Sequence, residues 1–265
     1  MKQAILAVSF GTSYNESRIK TIEAIEQAFR DEFKDYELYR AFTSRIIIDI
    51  LKKRDGINID SVSEAMEKLA KDGYKRIVVQ PTLVMGGEEN DCMLAAVKEY
   101  EEQFDRVVCG MPLLTGEEDY RKLSGILADD TREYDREGTE IILMGHGTEH
   151  AANAAYERLA GVFRKKGYER YHVGTVEAEP SFETVRQEVG KTGSGRMVLQ
   201  PLMIVSGDHA HNDMAGKEAD SWKSQLESDG FKVICRLKGM GELKGVRQMF
   251  VDHAREALNR LEDMG

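Results

Sequence analysis

ILAVSFGT at residues 5–12 returns later in the chain as IILMGHGT at residues 141–148. A second pair repeats in the same order, with RIVVQP at residues 76–81 and RMVLQP at residues 196–201. All four segments carry compact apolar runs rich in Ile, Val and Leu, which are typical of buried strands in a parallel sheet. The sequence therefore predicts two similar halves that arose by internal duplication.

Apolar residues spaced every three to four positions predict amphipathic helices between the strands. These helices are predicted over residues 15–33, 46–54, 63–71, 91–104, 151–166, 182–189, 217–228 and 244–261. Further strands are predicted over residues 37–41, 106–110, 171–175 and 231–237. Because parallel strands need a crossover helix, this alternation predicts an α/β fold with two flavodoxin-like halves, each a parallel sheet flanked by helices. We expect an N-terminal domain at residues 1–125, joined by the C-terminal helix at 244–265, and a C-terminal domain at 126–243.

Composition excludes several classes of function. The 265 residues carry a net charge of −10, which argues against nonspecific nucleic-acid binding. No apolar run approaches the ~20 residues needed to span a bilayer, so we expect no membrane partner. Cys92, Cys109 and Cys235 lie far apart, which favours a reducing cytoplasm. No P-loop and no Gly-x-Gly-x-x-Gly after a strand occurs, so we expect no nucleotide cofactor.

Two histidines follow predicted strands in the second half. His146 stands between two glycines, and His209 follows the strand at residues 196–201. Since ligands of parallel sheets bind beyond the carboxyl ends of the strands, both imidazoles can reach one cleft and bind a divalent metal. Glu177 follows a third strand and would complete an open three-ligand site, although Glu179 is close by. The alternative for His146 is a turn histidine bonded to nearby backbone.

Two further histidines lie close to these candidates. His150 follows His146 by four residues, and His211 follows His209 by two. Either side chain could bind the metal as an alternative ligand, or it could contact a metal ligand and orient it. His150 could instead cap the first turn of the following helix. The capping role is favoured for His150, and the role of His211 stays open.

The first half has no histidine at the corresponding positions. Phe10 stands opposite His146, and Glu89 stands opposite His209 with Glu88 beside it. Glu89 could act as a general acid or base, or it could simply favour the start of a helix through the helix dipole. At the first strand end, the hydroxyl groups of Ser9, Thr12 and Ser13 could donate hydrogen bonds to an anion.

Taken together, longer motifs are similar to those of a known family. They are VSFGTSY at residues 8–14, RAFTS at 40–44, RDGI at 54–57, MGHG at 144–147, VE at 176–177, PLMIVSGDH at 201–209, NDM at 212–214 and DSWK at 220–223. With these motifs the chain resembles the anaerobic cobalt chelatases of the class II chelatase superfamily, which includes ferrochelatase. The resemblance covers essentially the whole chain.

The resemblance implies a bilobal fold with the tetrapyrrole sirohydrochlorin in a cleft between the halves, and Co²⁺ as the substrate metal. It implies a metal held by His146, Glu177 and His209 and a proton-handling role for Glu89, and His146 is also expected to take part in catalysis. For the carboxylates of sirohydrochlorin we expect Arg45 as a partner. Phe10 and the hydroxyl residues around it are predicted to contact the substrate.

Three alternatives stay open at this point. Ligand identity does not separate Co²⁺ from Fe²⁺ or Ni²⁺, because affinities follow the Irving–Williams order. A non-catalytic carrier of metal or tetrapyrrole would use the same ligands. A homo-oligomer is possible, and the sequence does not indicate its size.

Overall fold

The structure is a computed structural model that describes residues 2–263. The chain divides into two compact units, Met1–Thr115 with Lys244–Gly265, and Gly116–Leu243. The predicted N-terminal domain, residues 1–125 with 244–265, includes three residues that lie outside the described range. They are residues 1, 264 and 265. Among residues 2–263, no helix has both the length and the apolar character needed to cross a bilayer.

Strands and helices alternate throughout the described chain. In order, they are β1 (Gln3–Ser9), α1 (Asn15–Lys20), α2 (Ile22–Glu32), β2 (Glu37–Phe42), α3 (Arg45–Ile50), β3 (Asp60–Ser61), α4 (Val62–Lys71), β4 (Arg76–Pro81), α5 (Glu88–Tyr100), β5 (Arg106–Cys109), α6 (Glu117–Asp130), β6 (Thr139–Gly145), α7 (Ala154–Lys165), β7 (Tyr171–Thr175), α8 (Phe182–Val189), β8 (Arg196–Pro201), α9 (Trp222–Ser228), β9 (Lys232–Cys235) and α10 (Lys244–Asp263).

Each unit contains one parallel sheet. The first sheet has the order β3-β2-β1-β4-β5, and the second has the order β7-β6-β8-β9. Apart from the two-residue strand β3, both sheets follow the 2-1-3-4 order of flavodoxin-like folds. The predicted fold class, with two similar α/β halves and a parallel sheet in each, is confirmed.

The two sheets also share their register. Ser9 pairs with Phe42 in the first unit, and Gly145 pairs with Thr175 in the second. The strands β4 and β8 match as well, because Val8 pairs with Pro81 and Met144 pairs with Pro201. Positions that sequence repetition placed opposite each other therefore occupy corresponding points in the two sheets.

Apolar side chains from strands and helices form a separate core in each unit. Leu6, Ile77 and Leu69 are fully buried in the first core, and Met144, Leu199 and Leu226 are fully buried in the second. The C-terminal helix α10 packs against α2, β4 and β5, so the end of the chain completes the first unit.

Several helices differ from the sequence prediction. The helix predicted over residues 15–33 is broken into α1 and α2 at Thr21, whose hydroxyl group donates to the Ser17 carbonyl at 2.6 Å. Such back-bonding by threonine competes with regular helix geometry. The predicted helix at residues 217–228 begins only at Trp222, because the Ser221 side chain caps it by accepting from the Ser224 N–H. Its first five predicted positions form turns instead.

Two π-helical turns and helix α6 were not predicted. The turn Leu51–Asp55 continues α3, and the turn Ala210–Met214 follows the predicted metal ligand His209. In a π turn the hydrogen bond spans five residues, as between the Ala215 N–H and the Ala210 carbonyl at 3.2 Å. A periodicity of 3.6 residues does not indicate such turns.

Candidate metal centre

The first element of the site is the end of β6. There the chain runs through Gly145, His146 and Gly147, and the ring of Tyr156 fills the space beside Gly145. Gly147 has a φ of +88°, and a Cβ at this position would lie 2.8 Å from the Ala178 nitrogen. A side chain at Gly147 would therefore be strained and would press on the next loop. The two glycines let the backbone around His146 pass close to its neighbours.

The Tyr156 hydroxyl group supports this turn from below. It accepts a hydrogen bond from the Gly147 N–H at 3.4 Å, and it is buried. Burial raises the pKa of Tyr156, which keeps the phenol neutral, although hydrogen bonds from the Gly147 and His146 backbone oppose the rise. A neutral phenol at this place fixes the backbone of His146 without adding charge.

The second element is the loop after β7. The Glu177 N–H donates to the His146 carbonyl at 2.9 Å, and the Val176 N–H donates to the Gly145 carbonyl at 3.1 Å. The main chain of this loop is thus hydrogen-bonded to the turn that carries His146. These bonds bring Glu177 beside His146 although 31 residues separate them in sequence.

The third element is the long segment after β8. Its first residue, Leu202, donates its N–H to the Met144 carbonyl at 2.7 Å, and its next part is held by N–H groups of Met240 and Gly241. His209 stands at the start of the π-helical turn Ala210–Met214. The Nδ1 atom of His209 lies 2.6 Å from Asp213 Oδ2.

These three elements bring His146, Glu177 and His209 together. Their ligand atoms all lie within 4.8 Å of one another, and no other such cluster of three occurs among residues 2–263. His146 Nε2 lies 3.4 Å from Glu177 Oε1, and the centroids of the two imidazole rings are 4.6 Å apart. Two imidazole nitrogens and one carboxylate oxygen suit a late first-row divalent cation and leave further coordination positions open.

Glu179, the other glutamate in this loop, has a different place. Its carboxylate accepts hydrogen bonds from the Ser181 N–H at 2.8 Å and from the Thr184 hydroxyl group at 3.2 Å. The backbone hydrogen bond from Ser181 is the main reason why the pKa of Glu179 lies below its ordinary value. Glu179 therefore stabilises the start of α8, and Glu177 is the glutamate that joins the histidines.

The remaining histidines lie outside this cluster. His150 Nδ1 accepts a hydrogen bond from the Ala152 N–H at 3.0 Å and so caps the turn that precedes α7. His211 lies within the π-helical turn. His172 bonds to the buried carboxylate of Glu140 at 2.9 Å, and His253 is buried on α10.

Glu89 lies in the first unit, in the first turn of α5. Its side chain is half-buried, whereas Glu88 beside it is exposed. Acidic residues are favourable at this end of a helix. The proton-handling role of Glu89 stays a prediction.

The residues predicted to contact the substrate differ in exposure. Ser9 is buried and shares a hydrogen bond of 2.6 Å with Thr82, and Thr12 is buried and accepts from the Tyr14 N–H. Phe10 is 41% exposed, which is unusual for a phenylalanine, and Ser13 is half-buried. Arg45 is exposed and forms an ion pair with Glu64 at 3.3 Å. Their part in substrate binding stays a prediction.

Three residues around the cluster were missed by the sequence analysis: Asp213 on the His209 ring, Asn153 between two loops, and Tyr156 beneath His146. Asn153 accepts from the Thr148 N–H at 3.1 Å and donates to the Glu179 carbonyl at 2.5 Å. Only Asp213 had a signal in the sequence, because it lies in the NDM motif at residues 212–214.

A model of one protein family, described as cobalt chelatase (CbiK), matches residues 3–259. The chain belongs to the cobalt chelatase (CbiK) family. It is 38% identical over 259 residues to the sirohydrochlorin cobaltochelatase of Salmonella typhimurium (strain LT2), a match that covers 98% of this chain and 97% of that protein. It is 30% identical to the sirohydrochlorin cobaltochelatase CbiKC of Nitratidesulfovibrio vulgaris (strain Hildenborough), with 99% and 93% covered. The resemblance inferred from the motifs is thereby confirmed.

Solved structures of more distant proteins share the fold of this family member. SirB from Bacillus subtilis, solved with Fe³⁺, aligns with a TM-score of 0.66 at 17% identity over 98% of this chain and 97% of SirB. CbiX, described as the terminal enzyme for biosynthesis of siroheme in denitrifying bacteria, aligns with a TM-score of 0.56 at 14% identity over 96% of this chain and 99% of CbiX. At these identities the likeness concerns the fold alone.

Proposed function

We propose that this protein is a sirohydrochlorin cobaltochelatase, an enzyme that inserts Co²⁺ into sirohydrochlorin in anaerobic cobalamin biosynthesis. The observation that carries the proposal is the cluster of His146, Glu177 and His209 in a member of the cobalt chelatase family. Two relatives that match nearly the whole chain bear the name sirohydrochlorin cobaltochelatase.

The geometry of the cluster suits metal insertion. Three protein ligands hold a divalent cation and leave open positions for the nitrogen atoms of a macrocycle. His146 and Glu177 are about half exposed, so an incoming ring can approach the cation from solvent. A chelatase must also release its metal, and an open three-ligand site allows ligand exchange more readily than a closed four-ligand site.

Insertion also requires removal of two protons from the pyrrole nitrogens. An imidazole accepts protons near neutral pH, so His146 can take one proton when its bond to the metal is replaced by the macrocycle. We assign the second proton to Glu89, the carboxylate at the corresponding strand end of the first unit. No redox step or nucleotide is needed for this exchange.

The proposal also covers the residues that contact the substrate and the cellular compartment. Phe10, Ser13 and Arg45 are exposed or half-buried and are the predicted residues best able to meet the substrate. Arg45 would exchange Glu64 for a substrate carboxylate, which costs little because exposed ion pairs are weak. Three free cysteines are in keeping with a reducing cytoplasm.

The test is a turnover assay. Purified protein is mixed with sirohydrochlorin and Co²⁺, and insertion is followed by the visible spectrum. We expect several turnovers per protein for the wild type and for Glu149→Gln, which removes an exposed carboxylate from the loop that carries His146. His146→Ala should fall to the uncatalysed rate. A wild-type protein that binds product without turnover would instead be a carrier, and retained activity in His146→Ala would refute the site.

The same assay decides the metal. The ligand types alone allow Fe²⁺ and Ni²⁺ as well as Co²⁺. We expect Co²⁺ to be inserted fastest when the three metals compete at equal free concentrations. Faster insertion of Fe²⁺ or Ni²⁺ would keep the fold and the site but change the product.

A further inference from the structure

One nitrogen of the His209 ring contacts a carboxylate that is not one of the three candidate ligands. His209 Nδ1 lies 2.6 Å from Asp213 Oδ2, and the His209 side chain is 32% exposed. An ionised carboxylate can only accept a hydrogen bond, so this short contact requires the proton on Nδ1. The lone pair of the neutral ring is then on Nε2.

We propose that Asp213 is a positioning residue that keeps His209 in the Nδ1–H form and presents Nε2 to the metal. The inference rests on the metal centre of the proposed function. Its physical basis is general, because a carboxylate hydrogen-bonded to the far nitrogen of a histidine fixes the ring orientation and raises the basicity of the ligating nitrogen.

Hydrogen bonds hold the backbone around Asp213 in place. Asp213 lies in the π-helical turn Ala210–Met214, which is closed by the bond from the Ala215 N–H to the Ala210 carbonyl at 3.2 Å. The next residue, Gly216, has its carbonyl held by the Ser221 hydroxyl group at 2.9 Å. The segment that carries Asp213 is therefore tied down on its C-terminal side.

The first unit offers an internal comparison. The offset that places Glu89 opposite His209 places Met93 opposite Asp213. Met93 is fully buried in the regular helix α5 and carries no charge. The unit that lacks the imidazole thus also lacks the carboxylate that would orient it, which links Asp213 to the ligand and not to the common scaffold.

The first test needs no metal and no variant. Long-range ¹H–¹⁵N NMR spectra of the metal-free protein at mildly alkaline pH report which nitrogen of each histidine carries the proton. His209, assigned by loss of its signals in His209→Gln, should show Nδ1 protonated and Nε2 bare. A ring protonated on Nε2 would overturn the proposal.

The second test measures binding of Co²⁺. We expect Asp213→Asn to lower the affinity about 10- to 100-fold, the usual cost of losing an outer partner of a ligand, and to alter the visible bands of the bound ion. Asp208→Asn is the matched control, because it removes one negative charge from the residue before His209. Asp208 accepts from the Asn212 side chain at 2.9 Å, and we expect wild-type affinity from this variant.

The outcomes separate this inference from the proposed function. If the wild type binds Co²⁺ through the cluster and Asp213→Asn binds it equally well with the same spectrum, the role of Asp213 is refuted and the function stands. An equal loss in Asp208→Asn would make the effect one of charge and would also refute it. If the wild type does not bind Co²⁺ at all, the proposed function fails, while the NMR spectrum still decides the pairing of Asp213 with His209.

Discussion

The ends of β1 and β6 have similar backbone conformations but carry different side chains. Gly11 has a φ of +102° and Gly147 a φ of +88°, so both chains turn in the same unusual way. In the first unit the Ser44 N–H donates to the Phe10 carbonyl at 3.2 Å, and in the second the Glu177 N–H donates to the His146 carbonyl at 2.9 Å. The loops after the first two strands are therefore tied together alike in both units.

The side chains at these matched positions diverge completely. Phe10, Ser44 and Glu89 in the first unit correspond to the three metal-binding candidates of the second. The first unit has an exposed aromatic ring, a hydroxyl group and a carboxylate at these positions, and the second unit has two imidazoles and a carboxylate. The two units thus share these backbone positions, and the side chains that we propose as metal ligands lie in the second unit.

The sharpest test of this comparison exchanges matched side chains for alanine. His209→Ala should lower the affinity for Co²⁺ by more than about 100-fold, because loss of a ligand costs more than loss of its outer partner. Glu89→Ala, its counterpart, should leave that affinity unchanged and lower only the rate of insertion. Both quantities come from a Co²⁺ titration followed by the turnover assay.

Two results would contradict this expectation. An equal loss of Co²⁺ affinity in Glu89→Ala would mean that the first unit also holds the metal. Unchanged turnover in Glu89→Ala would remove its proton-handling role and leave Glu89 as a helix-terminal residue.

A second test uses the two matched glycines. Both Gly11→Ala and Gly147→Ala should destabilise the protein by about 1–3 kcal/mol, because a left-handed backbone strains an alanine. Each added Cβ would also meet a neighbour, at 2.6 Å from the Phe42 ring or at 2.8 Å from the Ala178 nitrogen. Only Gly147→Ala should also weaken Co²⁺ binding, by about 10-fold or more, because it pushes on the loop of Glu177. Thermal unfolding and metal titration of both variants check this, and equal Co²⁺ binding would count against the coupling of the two loops.

The sequence could predict where the candidate ligands lie, but not which residues hold them in place. Apolar runs fixed β1, β6, β4 and β8, and parallel pairing then brought His146 and His209 to the same edge of the sheet. The Ser9 hydroxyl group could not be judged in the same way. Its partner Thr82 is 73 residues away, and only the pairing of β1 with β4 makes the contact.

Irregular segments were likewise beyond the reach of periodicity. The π-helical turn Ala210–Met214 has no pattern that separates it from a loop, and α6 was overlooked between the two repeats. The choice between Glu177 and Glu179 depended on hydrogen bonds to Ser181, which the sequence does not contain as a pattern.

A third test concerns a half-buried charge cluster of the second unit, formed by Asp130, Arg236 and Lys238. Asp130 accepts from Arg236 Nη1 at 2.8 Å and from Lys238 Nζ at 2.6 Å, whereas the first unit has Gly110 in the place of Arg236. Burial raises the pKa of Asp130, but the hydrogen bonds and charges of Lys238 and Arg236 outweigh it and hold the pKa below its ordinary value. A pKa lowered on folding stabilises the protein above the unfolded pKa of about 3.9 and loses this effect as the pH falls through the folded value.

Asp130→Asn should therefore cost about 1–3 kcal/mol of stability at neutral pH, and its difference from the wild type should shrink below about pH 4. Asp129→Asn is the matched control. Its carboxylate is exposed and pairs with exposed Arg132, so we expect a change below about 0.5 kcal/mol. Thermal unfolding at several pH values measures both, and a difference that persists in acid would contradict the assigned ionisation.

The smallest expected effect concerns the side chains that hydrogen-bond to the loop after β1 in the first unit and after β6 in the second. In the second unit Asn153 bridges the Thr148 N–H and the Glu179 carbonyl, and in the first unit Arg54 donates to the Ser13 carbonyl at 2.5 Å. Asn153→Ala removes two hydrogen bonds between the loops of His146 and Glu177. At about 0.5–1.5 kcal/mol for each bond, part of which is recovered by water, we expect Co²⁺ affinity to fall about 3- to 10-fold.

Arg54→Ala, the counterpart, loosens the loop that carries Phe10 and should leave Co²⁺ affinity unchanged, since that loop offers no metal ligand. Titration with Co²⁺ separates the two variants, and unfolding curves control for general loss of structure. If both variants weaken Co²⁺ binding equally, the loops act on the metal through overall stability. If only Asn153→Ala does so, the geometry of the metal site depends on a bridge that belongs to the second unit alone, and the specialisation of that unit extends beyond its three ligands.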